Sequence, residues 1–146
     1  MHGLIAGAVG TTALNAVTYL DMAVRARAAS TTPEQTVERM EELSGVSLPG
    51  PNAANRRSGL GALLGIAAGL ATGTVHGAVR PRLGRVPLVV LGVGAGLAAN
   101  VASTGPMAAL GVTDPRTWPA ESWVMDLVPH VAYGFATAAT FDHLSR

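Results

Sequence analysis

Four long runs of uncharged or nearly uncharged residues constrain this chain more than any other feature of its sequence. Gly3–Leu20, Gly59–Val79 and Val86–Leu110 contain no Asp, Glu, Lys or Arg, and Trp123–Phe141 contains only Asp126. Each run is long enough to cross the roughly 30 Å hydrocarbon layer of a bilayer as an α-helix, at about 1.5 Å per residue. Because lipid offers the backbone no hydrogen-bonding partner, we expect these runs to be helices.

The composition agrees with a membrane protein and excludes several other classes. Hydrophobic residues make up 49% of the chain and charged residues only 13%, against about 25% charged in soluble domains. The net charge of +1 gives no reason to expect a nucleic-acid partner. The absence of cysteine excludes disulfides, thiolate metal sites and cysteine nucleophiles.

These observations predict an all-α fold, a transmembrane four-helix bundle with one short extramembrane amphipathic helix, in a single domain covering residues 1–146. The third run is longer than one span needs, and Gly105 followed by Pro106 predicts that its helix ends near Thr104. The lipid bilayer is then the first partner, and we expect a multi-pass protein of the plasma (inner) membrane. The expected spans are about 3–25, 59–79, 86–104 and 121–142.

The segment between the first two spans predicts the extramembrane helix, at about residues 33–44. A capping-box pattern places Thr32 as the N-cap and Gln35 at the third helical position, and Gly45 is expected to stop the helix. Its acidic faces favour a helix that caps the bundle or meets a partner protein, and a solvated connector is the alternative. Residues 47–58, rich in turn formers, predict a loop.

The alternation of spans divides the arginines between two sides of the membrane, X on the side of the N-terminus and Y opposite. Six arginines fall on Y and four on X, which favours Y as the cytoplasmic side. Trp118 and Trp123 fit an aromatic belt on Y. The arginines on X are Arg80, Arg82, Arg85 and Arg146, and those on Y are Arg25, Arg27, Arg39, Arg56, Arg57 and Arg116.

Glycine recurs every fourth residue along the second span. Such a glycine zipper forms a groove along one helix face, where another backbone can approach closely. The groove is either an interface with a second copy or another membrane protein, or the contact that packs the helices of one chain. The zipper positions are Gly61, Gly65, Gly69, Gly73 and Gly77, and the same spacing occurs at Gly3 and Gly7 and at Gly92 and Gly96.

Polar side chains of three spans are predicted to converge on the Y half of the bilayer. On the fourth span, Asp126, His130, Tyr133 and Thr137 recur at helical spacing and form one stripe. Because a charge facing lipid is costly, we expect this stripe to face the polar residues of the other spans or a cavity. The predicted intramembrane cluster consists of Asn15, Tyr19, Asp21, Asn100, Asp126, His130 and Tyr133.

Two interpretations of this cluster remain open. In the first, Asp126 lies beside His130 and the pair forms a proton- or ion-responsive site of a small channel or transporter. In the second, Asp126 pairs with Arg25 or Arg116. The residues His130, Asn15 and Asn100 then join helices through ordinary hydrogen bonds.

No catalytic residue, cofactor or metal is expected. Ser122 lies near Asp126 and His130 in the sequence, but no nucleophile elbow accompanies this set, so a hydrolase is a minor alternative. His76 and His143 lie at similar depth and could ligate a b-type haem, a second minor alternative. The sequence therefore favours a non-enzymatic membrane protein that acts by helix–helix assembly or by interaction with a partner.

Four segments of the chain resemble those of small four-helix integral membrane proteins of actinobacteria. The resemblance spans most of the chain and implies the same four-helix membrane fold. It implies no activity, substrate or cofactor, because none is known for that group. The segments are Gly10–Asp21, Thr32–Val37, Leu110–Arg116 and Leu127–Gly134.

Overall fold

In the computed structural model, residues 1–48 and 50–146 are described, and over these residues the chain is helical without a strand. Two short 3-10 turns, Arg80–Arg82 and Pro115–Thr117, connect longer helices. Three helices are long and apolar enough to cross a membrane: α1 (His2–Arg25), α3 (Ala53–Val79) together with the turn that follows it, and α4 (Leu88–Ala109). The five α-helices are α1 (His2–Arg25), α2 (Thr32–Ser44), α3 (Ala53–Val79), α4 (Leu88–Ala109) and α5 (Ala120–Leu144).

Helix α5 lies at the centre of the packing. It makes extensive contacts with α1 on one side and with α4 on the other, and α3 packs mainly against α1. Helices α3 and α4 contact each other sparsely, and α2 packs against α3. Ion pairs join the helix ends, Arg80 with Asp142 at the end of the molecule that carries the N-terminus and Arg25 with Glu121 at the opposite end, so the long helices alternate in direction.

Glycines bring α1 and α3 into backbone contact. A Cβ atom added to Gly3 would lie 2.7 Å from the carbonyl oxygen of Gly73, and one added to Gly7 would lie 2.8 Å from that of Gly69. Real Cβ atoms do not approach so closely, so the crossing needs glycine on both helices. Gly77 faces Gly3 and the ring of Phe141 in the same way.

A second glycine crossing joins α4 to α5. A Cβ on Gly96 would lie 2.6 Å from the carbonyl oxygen of His130, and Gly134 abuts the backbones of Gly92 and Gly96. Of the two remaining zipper glycines, Gly61 contacts the backbone and ring of Pro33 in α2, 2.8 Å from an added Cβ. Gly65 alone has no neighbouring atom within 4 Å of such a Cβ.

The predicted end of the third span is wrong at the level of the helix. Helix α4 does not stop near Thr104 but continues to Ala109 with Pro106 inside it. Proline disfavours helix at the preceding residue partly by a clash with that residue's Cβ. That residue is Gly105, which has no Cβ, so the helix passes through.

The boundaries of α2 differ in part from the prediction. Gly45 ends the helix with φ of 69°, as predicted, but Thr32 is the first helical residue and Thr31 the N-cap, without a side-chain cap. The capping box is unnecessary because Ser30 Oγ accepts the Thr32 amide at 3.3 Å and Pro33 has no N–H to satisfy.

The predicted loop at residues 47–58 is also too long, because α3 begins at Ala53. Arg57 lies within this extra turn of helix, where its guanidinium binds the acidic face of α2. Pro49, part of the predicted loop, lies outside the described residues.

Candidate functional site

A polar contact between α4 and α5 is the most chemically distinctive site of the structure. Asn100 Nδ2 donates to Asp126 Oδ2 across the two helices. His130, one turn further along α5, places Nδ1 3.6 Å from Asp126 Oδ1. Its Nε2 lies 3.1 Å from Ser103 Oγ on α4. Spacings of three and four residues bring Asn100 with Ser103, and Asp126 with His130, onto facing sides of their helices.

The hydrogen bonds of His130 depend on how many protons its ring carries. Nδ1 lies 2.7 Å from the carbonyl oxygen of Asp126, which can only accept, so Nδ1 carries a proton. Ser103 Oγ lies 3.0 Å from the carbonyl oxygen of Asn100 and has a single proton to donate. If the ring is neutral, Nε2 has no proton, and Ser103 can donate its own proton either to the Asn100 carbonyl oxygen or to Nε2 but not to both. With both nitrogens protonated, Nε2 donates to Ser103, Ser103 donates to Asn100, and every bond is made.

Protein encloses most of this cluster. Asn100 is buried, and the side chains of His130 and Asp126 are 11% and 23% exposed. No arginine pairs with Asp126 among residues 1–48 and 50–146. Arg25 binds Asp21 and Glu121, and Arg116 binds Asp114. The structure therefore does not pair Asp126 with either arginine of the second interpretation. Asn100 and His130 do form hydrogen bonds between α4 and α5, as that interpretation expects.

Tyr133 lies next to this cluster at the junction of three helices. It is 1% exposed, and its hydroxyl donates to the carbonyl oxygen of Gly69 on α3 at 2.6 Å. Its ring carbons lie 2.8 Å from the position of a Cβ on Gly10 of α1. The side chain thus ties α5 to α3, and it fits only because α1 carries a glycine beside it.

The three predicted site residues of α1 lie elsewhere. Tyr19 is 62% exposed, and Asn15 is half-buried. Over the described part of the chain, no hydrogen bond joins either of them to Asp126 or His130. Asp21 belongs to the surface ion pairs of side Y, where it binds Arg25 at 3.0 Å and also Arg27. The predicted meeting of α1 with Asp126 is therefore not observed.

Ser103 is the member of the cluster that the sequence interpretation missed. It follows Asn100 by three residues, so the two share a face of α4, and that spacing was a usable signal. A hydroxyl in a helix usually bonds back to its own backbone, as Ser103 does here, and so gives little reason to expect an interhelical contact.

The minor alternatives find no support in the geometry. His130 uses its ring nitrogens on Asp126 and Ser103, and Ser122 forms no hydrogen bond with it. His76 packs edge-on against Phe141, with ring centroids 5.7 Å apart, and His143 is exposed. Within residues 1–48 and 50–146, no group of three or more His, Asp or Glu side chains is placed to hold a metal ion.

A separate set of polar contacts holds α2 over the Y end of α3. Arg57 donates to Glu41 at 2.5 Å and lies 3.1 Å from Glu38. The hydrogen bond from Arg57, followed by one from the Leu48 amide, holds the pKa of Glu41 below the ordinary value of a glutamate. On the other flank, Arg39 donates to the carbonyl oxygen of Leu110 at 3.2 Å. Helix α2 is therefore docked on the rest of the chain.

Comparison of this chain with protein-family models, with curated proteins and with solved structures finds no match. Its function must therefore be argued from its own residues.

Proposed function

We propose that this chain is a non-enzymatic, multi-pass protein of the plasma (inner) membrane that crosses the bilayer four times. Helix α5 has 25 residues, about 37 Å of helix, which is enough for a span. It lies between α1 and α4, both apolar enough to cross a membrane, and its ends pair with theirs or with α3. The polar residues in the middle of α5, His130, Tyr133 and Thr137, are buried against the other helices, and this enclosed position offsets the lower apolarity of the helix.

Its proposed activity is assembly with a second copy or with another membrane protein. The observation that carries this proposal is the Y half of α3. From Leu60 to Ala67, every residue except Gly61 is exposed, although these residues are apolar. The other half of α3 is held by α1 and by Tyr133, whereas this half contacts α2 through Gly61 and leaves its other side chains exposed. Gly65, at its centre, leaves room for another backbone.

Crosslinking in membranes tests the assembly. The full chain should give a crosslinked dimer or a crosslink to a partner, and Gly65→Leu should reduce its yield because the added side chain fills the open position. Gly94→Leu is the matched control, since Gly94 of α4 also has no neighbour within 4 Å of an added Cβ. A strictly monomeric chain, or equal loss in both variants, would contradict the proposal. Gly69→Leu is unsuitable, because Gly69 contacts Thr11 within the same chain.

The α4–α5 cluster favours a second candidate, a small channel or transporter with a proton- or ion-responsive site at Asp126 and His130. The specific observation is that the Ser103 hydroxyl lies within hydrogen-bond distance of both the Asn100 carbonyl oxygen and His130 Nε2. Its single proton can serve only one of them, so both contacts are hydrogen bonds only when Nε2 also carries a proton. A change of protonation would then alter the contact between α4 and α5. Surface depressions at α2 and at residues 108–116 include no residue of the cluster and so add no support to this candidate, which we place second.

Flux measurements in vesicles test this second candidate. Reconstituted protein should give a pH-dependent ion or solute flux that Asp126→Asn abolishes. Glu121→Gln is the control, because Glu121 is an exposed carboxylate on the same helix that pairs with Arg25 and is outside the cluster. Absence of flux from well-folded protein would eliminate the channel or transporter.

A further inference from the structure

Side X carries arginines whose charge no acidic side chain offsets. Arg80 forms a bidentate pair with Asp142, in which Nε donates to Oδ1 at 2.8 Å and Nη2 donates to Oδ2 at 3.1 Å. Arg82, Arg85 and Arg146 are exposed, and none of them forms a salt bridge with an acidic side chain within residues 1–48 and 50–146.

Side Y has more arginines but little free positive charge. Five of its six arginines form salt bridges, and Arg56 is the exception among the described residues. Side Y also holds seven acidic residues, whereas side X holds only Asp142. The two ends of the molecule therefore differ in the charge that they offer to a membrane surface, and side X is the positive one.

The loop at residues 80–87 is folded so that its other arginines point outward. Arg80 Nη1 donates to the carbonyl oxygen of Gly84 at 3.0 Å, and Gly84 adopts φ of 59°, which closes the turn. The guanidinium of Arg80 thus forms its hydrogen bonds with Asp142 and with the backbone of the loop itself. Arg82 and Arg85 remain exposed, with one hydrogen bond from Arg82 to Ala78 at the end of α3.

Exposed apolar side chains flank these arginines. Leu83 and Leu88, on either side of Arg85, are each 44% exposed. A free phosphate ion would gain nothing from such neighbours, but a phospholipid would bury its acyl chains against them. Guanidinium groups bind phosphate through paired hydrogen bonds, and each basic residue near an anionic membrane surface contributes favourably to lipid binding.

We propose that the loop at residues 80–87 is a binding site for anionic phospholipid headgroups. Arg82 and Arg85 bind the phosphate, and Leu83 and Leu88 contact the acyl chains. The site rests on the proposed four-span topology, which places this loop at the membrane surface. It is distinct from the α4–α5 cluster and from the open face of α3.

Native mass spectrometry of the full chain, released from detergent with an equimolar mixture of phosphatidylglycerol and phosphatidylcholine, tests this site. The unmodified chain should retain phosphatidylglycerol preferentially. The double variant Arg82→Gln, Arg85→Gln should lose about 30-fold of that preference, the effect of roughly two surface arginines. Arg56→Gln, an exposed and unpaired arginine on side Y, should keep it. The double variant Arg82→Lys, Arg85→Lys should retain most of it, which shows that the loop still folds.

Three results would overturn the proposal. The first is equal retention of both lipids by the unmodified chain, and the second is the same loss in Arg56→Gln as in the double glutamine variant. The third is displacement of phosphatidylglycerol by an equal concentration of inorganic phosphate, which would mean that the acyl chains contribute nothing. A chain that retains neither lipid and stays monodisperse without detergent would refute the four-span topology itself.

Discussion

Among single residues, Tyr133 offers the clearest energetic test of the packing. Tyr133→Phe removes its bond to the Gly69 carbonyl but keeps the buried ring. We expect the free energy of unfolding to fall by about 0.6 to 1.7 kcal/mol, the average and the maximum found for interhelical hydrogen bonds in membranes. Unfolding in mixed micelles measures the change. Tyr19→Phe, at a 62% exposed site, should leave stability unchanged, and an equal loss in both variants would contradict the assignment.

The residues of the polar cluster show what sequence can and cannot specify at this scale. Helix direction and rise place Asn100, Asp126 and His130 at one level, and the structure brings these three together. The same reasoning put Asn15 and Tyr19 at that level. Depth, however, does not determine how α1 is rotated about its axis or which helix lies beside which. Rotation is set by the glycine contacts of α1 with α3, and these leave Tyr19 exposed.

Among the helices, the crossing of α1 with α3 depends on glycine at defined positions. A Cβ on Gly73 would meet the Gly7 amide nitrogen at 2.6 Å and the Gly3 carbonyl oxygen at 2.7 Å. We expect Gly73→Ala to lower the free energy of unfolding by about 1 to 3 kcal/mol, the usual cost of overpacking. Gly65→Ala, on the same helix with open space around it, should cost nothing. Thermal unfolding of both variants in the same detergent measures the difference. Equal stability of the two variants would contradict the close crossing of α1 with α3.

The docking of α2 on α3 is expected to weaken in acid. Because the folded chain lowers the pKa of Glu41, its contribution to stability is present above the pKa of an unfolded glutamate and is lost as pH falls through the lowered value. Protonation then removes the charge that Arg57 binds. Hydrogen exchange of the α2 amides should therefore speed up relative to α3 at acidic pH, after correction for the intrinsic pH dependence of exchange.

Two variants separate this effect from general acid unfolding. Glu41→Gln should give the faster α2 exchange already at neutral pH. Glu42→Gln should have a smaller effect, since the salt bridge that Glu42 forms among the described residues is with Arg39 on its own helix, and its side chain is 57% exposed. Identical exchange in the two variants would show that Glu41 does not hold α2.

The existence of the helices was predictable, but not their ends or their neighbours. Charge-free runs of hydrocarbon length leave few alternatives to helix. The end of α4 was missed because the rule for residues before proline assumes a Cβ that Gly105 lacks. The partner of the glycine zipper was left open because glycine spacing shows that a backbone can approach, and not which one. In the structure, four of the five zipper glycines contact residues of α1, α2 or α5, and Gly65 has no neighbour.

At the level of the whole molecule, the polarity of each long helix agrees with its position in the packing. Of the four long helices, α5 is the one whose sequence is not apolar enough to be a candidate span by itself, and it packs between α1 and α4. Helix α3, which is uncharged from Gly59 to Val79, occupies the edge and exposes apolar side chains of its Y half. This arrangement is the inverse of a water-soluble bundle, where apolar side chains gather inside, and it is the one expected when the surrounding medium is lipid.

The four-span topology predicts which side of the membrane each connection faces. The chain contains no cysteine, so single cysteines can be introduced and labelled without background. His2→Cys and Ser145→Cys should react from one side of sealed vesicles, because both residues lie at side X, where His2 Nδ1 is 3.3 Å from Ser145 Oγ. Ser30→Cys and Thr113→Cys should react only from the opposite side. If α5 does not cross the membrane, Ser145→Cys should instead react from the same side as Thr113→Cys. Helix α5 would then have to lie outside the hydrocarbon layer while it contacts α1 and α4 along its length.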